Sequence, residues 1–86
     1  MLTFEDCVDV AGLTVDEVDA IAAHEHLPEL VACEMGVALM HRPGGTETIR
    51  GFIEEGIIAA RRHRDSGKAA HLRAVLDNFN AAHPDA

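Results

Sequence analysis

Apolar residues recur along this chain at intervals of three and four, and short turn-forming stretches cut the pattern into helix-length segments. Phe4, Cys7, Val8 and Ala11 form the first stripe. Thr3 precedes it as an N-cap, Asp6 is placed to complete a capping box, and Gly12 follows where a left-handed stop is needed. Leu13-Thr14-Val15-Asp16-Glu17-Val18 opens a second helix with a stronger signature. Thr14 caps, Glu17 returns the hydrogen bond from N3, and Leu13 and Val18 form a hydrophobic staple. The expected inner stripe is Val15, Val18, Ile21 and Ala22, with Asp16 and Asp19 outside. This helix is expected to run to Ala23 or His24. Pro28 then holds Leu27 extended, which breaks the chain near His26.

The third segment, Pro28 to His41, is apolar on nearly every side. Leu27, Val31, Met35, Ala38 and Leu39 cluster together, Leu30, Cys33, Val37 and Met40 cover much of the rest, and Ala32 with Gly36 makes a small-residue strip. Such a helix belongs in an interior, so it is expected to be the enclosed centre of the fold. Arg42-Pro43-Gly44-Gly45 makes a tight turn, with Thr46 as the next N-cap. The fourth helix is expected over Glu47–Asp65, with Ile49, Phe52, Ile53, Gly56, Ile57 and Ala60 on one face. Gly56 inside a helix costs about 1 kcal/mol relative to Ala. That cost suggests that Gly56 and Ala60 abut Ala32 and Gly36 in a close crossing. Gly67 is expected to end this helix, and Lys68–Ala82 to form the fifth, with Leu72, Val75, Leu76 and Phe79 inward. The reading is an all-α bundle of four to five short helices in one domain, residues 1–83, with a frayed tail at 84–86.

Charge adds an asymmetry to this pattern. The 86 residues carry a net −8. Residues 1–41 hold nine Asp or Glu and no Lys or Arg, whereas 42–86 hold six acids and seven bases. An acidic half disfavours phosphate-backbone binding, which depends on Lys and Arg. It suits a basic protein partner, a cation, or head-to-tail contact with the basic stretch of another copy. No segment has the length and apolarity to span a bilayer, and no leader pattern opens the chain, so a cytoplasmic protein with reduced Cys7 and Cys33 is expected. With three Phe and no Trp or Tyr the core is thin, which also favours self-association.

Four groups of residues could carry chemistry. His24, His26, Glu29 and Cys33 are all metal-ligand types near one helix break, and a transition metal is the alternative reading for them. Their spacing matches no established site, and the preferred role of the histidines is to meet carbonyls at a helix C-terminus. Glu34 and His41 fall within about 20° on the helical wheel, which permits an acid–base pair if both are buried, or a solvated seam if not. Arg61, Arg62 and Arg64 form a basic cluster that either answers the helix dipole or docks on an acidic surface, and Ile58 projects away from the core as a candidate subunit contact. For nucleophilic catalysis, Ser66 has no elbow around it, and both cysteines lie on apolar stripes. Gly44-Gly45-Thr46-Glu47 lacks the Lys and length of a phosphate loop. Together these features favour a non-catalytic interaction or accessory protein that needs no cofactor, self-associating or part of a complex.

Overall fold

The computed structural model describes residues 3–84. Five helices account for most of them: α1 Phe4–Ala11, α2 Val15–Glu25, α3 Glu29–Met40, α4 Gly45–Arg62 and α5 Ser66–Ala82. The fold is all-α, with the helices packed against one another. α3 packs on α1, α2 and α4, while α4 packs along α5 and also on α2. Phe79, Ile21, Ile49, Ile53 and Val18 are the largest fully buried side chains and set the core where α2, α4 and α5 meet.

The local signals at the first two helices hold in detail. Thr3 and Thr14 each accept from the backbone of the third helical residue, and Asp6 and Glu17 each return the bond. Gly12 ends α1 in the left-handed region, at φ 70°. In α2 the inner stripe differs from expectation: Val15 is exposed, whereas Glu17 is buried with its carboxylate on the Thr14 N–H. Its polar end is satisfied by the cap, so burial leaves no orphaned group.

α3 lies in the middle of the contact network but is not enclosed all round. Leu30 and Val31 are each 43% exposed, and the buried positions are Ala32, Cys33, Gly36 and Leu39. The reason is thickness. The molecule measures 40 × 28 × 17 Å, and 17 Å holds two layers of helix backbone, because axes about 8–10 Å apart with Cα atoms about 2.3 Å from each axis span about 13–15 Å. No helix in a two-layer stack can be covered on every side. The small-residue strip faces inward because it permits the closest approach. A Cβ at Gly36 would lie 2.8 Å from Leu13 Cδ1 and 3.4 Å from Ile21 Cδ1. Gly36 therefore meets the α1–α2 corner, not Gly56. Gly56 faces α5, where its Cβ would lie 3.1 Å from Leu72 Cδ1. The expected Gly56/Ala60 crossing with Ala32/Gly36 is thus replaced by two separate close approaches.

Two helix starts shift by a few residues. α4 begins at Gly45 behind a left-handed Gly44, and Thr46 lies inside the helix instead of capping it. At the α4–α5 corner the left-handed residue is Arg64, φ 57°, not Gly67. The Arg64 N–H donates to Arg61 and the Asp65 N–H to Ala60, a Schellman closure. Asp65 then caps α5 through the Lys68 N–H. Gly67 falls within the first turn of α5. His83 stacks on Phe79, and Arg50 Nη2 donates to its carbonyl at 3.0 Å. Residues 85 and 86 of the expected tail lie outside the described residues.

Candidate functional site

α2, α4 and α5 splay to leave a cleft of about 510 Å³. Its apolar floor consists of Ala20 and Ala23 from α2, Phe52, Gly56 and Ala59 from α4, and Leu72 from α5. The small side chains there are what open the cleft, because α2 and α4 are in contact yet do not fill the space between them. Its polar lining includes three carboxylates, Asp16, Asp19 and Glu55, with His24, His26, His71 and Lys68.

His24 is the best-fixed polar group of the cleft. Its ring stacks on Phe52 with centroids 4.2 Å apart. Nδ1 lies 2.8 Å from the Glu25 carboxylate, and Nε2 meets the Glu55 carboxylate on α4. Burial acts against a charge on this imidazole, but hydrogen bonds to Glu55 and Glu25 and their negative charge outweigh it, so the pKa is raised above 6.5. The imidazolium form ties α2 to α4 through Glu55, while Glu25 of α2 holds its other nitrogen. His71 and Asp16, 3.7 Å apart and both exposed, make a weaker link from α5 to α2.

Beside the cleft, Asp19 and Glu29 crowd each other. The negative charge of Asp19, then burial and hydrogen bonding, holds the Glu29 carboxyl above its ordinary value. No Lys or Arg of the described residues forms an ion pair with either.

The residues grouped for a metal do not converge. His24 points to Glu25 and Glu55, and Glu29 faces Asp19. Cys33 is fully buried beside Cys7, where burial and that neighbouring thiol push its pKa up to about 12. His26 occupies the left-handed turn after α2, and its N–H donates to Ala22. Among the described residues no group of three or more His, Cys, Asp or Glu is arranged to hold a metal ion. His24 also does not serve the α2 carbonyls as expected. Histidines do meet carbonyls at the ends of two other helices: His41 donates to Val37 of α3 at 2.8 Å, and His83 donates to Phe79 of α5 at 3.1 Å. Glu34 and His41 are both exposed, so this strip is the solvated seam and not a buried acid–base pair.

The residues proposed for contact with partners are all accessible. Ile58 is 50% exposed, and Arg61, Arg62 and Arg64 are exposed beside it. Arg61 and Arg64 line a more open hollow of about 390 Å³ with Asp65, Ser66 and Ala69. The cleft itself escaped sequence reasoning. Its walls come from three helices, and Glu55, which bonds His24 from the opposite helix, is thirty-one positions away from it. No family model, curated protein sequence or solved structure matches the chain. No helix among the described residues is long and apolar enough to cross a membrane.

Proposed function

We propose that the protein is a non-catalytic interaction module whose α2–α4–α5 cleft receives a basic amphipathic segment of a partner protein. The observation that carries this reading is an apolar floor with carboxylates beside it. A helix that lays apolar side chains into a groove needs such a floor. Lys or Arg flanking that apolar face would meet Asp16, Asp19 and Glu55. The Asp19–Glu29 pair adds to the case: two crowded carboxylates are a local excess of negative charge that an incoming cation relieves. The same bias runs through the whole first half of the chain, with nine acids and no Lys or Arg before Arg42.

The test is an NMR titration with two synthetic amphipathic helices, one Leu/Lys and one Leu/Glu. The basic peptide is expected to shift the amides of Ala20, Ala23, Gly56 and Ala59, and the acidic peptide to leave them unmoved. Asp16→Asn with Asp19→Asn is expected to weaken binding and flatten its salt dependence. Equal responses to the two peptides, or shifts confined to another face, would reject the cleft as the docking site.

A further inference from the structure

The exposed face of α4 has a charge pattern with its own symmetry. Ile58, half exposed, has Glu54 and Glu55 four and three residues before it and Arg61 and Arg62 three and four residues after it. At 100° per residue, all five lie within about 120° of arc, centred on Ile58. The four charged residues are exposed. Among the described residues Glu54, Arg61 and Arg62 form no ion pair, and only Glu55 is engaged, by His24. One turn further back, Gly51 faces open space, with nothing within 4 Å of where a Cβ would stand. We infer that this face is a homodimer interface in which α4 packs antiparallel on α4 of a second copy, about a two-fold axis at Ile58.

The charges select both the partner and the direction. In the antiparallel arrangement, Ile58 meets its counterpart, Glu54 lies beside Arg61 of the second copy, and Glu55 lies beside its Arg62. The two-fold repeats each pair, which is the self-complementarity an isologous contact requires. A parallel arrangement would set Glu54 beside Glu54 and Arg61 beside Arg61, which repels at both ends. Ile58 supplies the apolar centre, and the charges form a rim that fixes register. Of these residues only Glu55 also lines the cleft, while Ile58, Glu54, Arg61 and Arg62 lie outside it, so the interface stands or falls without the cleft reading.

Sedimentation equilibrium across a concentration series at low salt tests it, with circular dichroism confirming that each variant is folded. The wild-type chain, 9.2 kDa as a monomer, is expected to approach twice that mass reversibly. Glu54→Lys and Arg61→Glu, each alone, place like charges together at both ends of the seam and are expected to weaken self-association by about tenfold. Mixing these two variants restores opposite charges at every Glu54–Arg61 position, so the mixture is expected to associate more tightly than either alone. Ile58→Asp is expected to remain folded and monomeric. The inference is overturned if the wild type stays monomeric up to millimolar concentration. It is equally overturned if the mixture of folded variants is no heavier than its separate components.

Discussion

Three glycines of α4, chemically identical, are predicted to respond to alanine in three different ways. Gly51 lies in the helix interior with open space where its Cβ would be. Alanine there gains helix propensity, about 1 kcal/mol, and clashes with nothing. For a domain of this size 1 kcal/mol corresponds to roughly 4–8 °C in Tm, so Gly51→Ala is expected to melt that much higher. At Gly56 the same gain is opposed by Leu72 Cδ1 at 3.1 Å, the tip of a side chain that yields by a few tenths of an ångström. The two effects nearly cancel, and Tm is expected to stay within a few degrees. Gly45 is the opposite extreme. A Cβ there would overlap the carbonyl of Leu39, with Leu39 Cα only 3.0 Å away. That obstacle is backbone in the last turn of α3 and cannot rotate aside. Overpacking of this kind costs about 1–3 kcal/mol or more, so Gly45→Ala is expected to lose roughly 10 °C or more. Thermal melts by circular dichroism at dilute concentration, where association adds nothing, read all three. If Gly45→Ala melts as high as wild type, the tight α3–α4 turn described here is wrong. If Gly51→Ala fails to rise, its surroundings are not open.

Three further outcomes follow from the geometry. His24 has its pKa raised above 6.5 on folding, so its stabilising contribution is fully present below pH 6.5 and is lost as pH rises through the folded value; urea midpoints of wild type and His24→Gln should converge at high pH, and a constant gap would refute the clamp. Arg64→Gly should raise Tm, because Arg64 holds φ 57° and glycine relieves a left-handed cost of about 1 kcal/mol; a lower Tm would mean that Arg64 makes a stabilising contact. Cys7 and Cys33 are both buried, with Cys33 pushed up to about 12, so alkylation at neutral pH should track unfolding, and rapid labelling of the native protein would show that α1 opens freely.

The residues most legible in the sequence were those whose partners are near in the chain. The capping boxes at Thr3 and Thr14, the stop at Gly12 and the inward stripes of α4 and α5 were correct because each is decided within about one or two helical turns. α3 packs against α1, α2 and α4 but is not enclosed on nearly every side as its composition suggests. A helix apolar on all sides has no period that selects a face, so the choice passes to close packing, and Ala32, Cys33 and Gly36 won over Val31 because they are small. The left-handed turn at Arg64 was missed for a related reason. Glycine is the usual occupant of that conformation, but the chain turns at Arg64, three residues before Gly67, which lies in the first turn of α5.

The cleft was illegible for the most basic reason, since it is a space between helices and its defining pair, His24 and Glu55, joins two of them. Sequence proximity suggested that His24 and His26 work together with Glu29 and Cys33. The fold separates them because α2 ends in a left-handed turn at His26 while the Cys33 side of α3 faces inward against Cys7. The charge imbalance is legible in the sequence, and the structure gives it a location. Lys and Arg are absent from the first half, so the carboxylates Asp16 and Asp19 on the α2 side of the cleft have no Lys or Arg of their own helix to answer them. Lys68, across on α5, is the only basic residue other than histidine in the lining. Lys68→Glu therefore separates the cleft reading from a general acidic attraction. It leaves the apolar floor intact and removes the one lysine of the lining that competes with an incoming cation. Binding of the Leu/Lys helix should tighten by several-fold at low salt and converge with wild type at high salt. Unchanged or weaker binding would mean that the cation of the partner does not seat between α2 and α5.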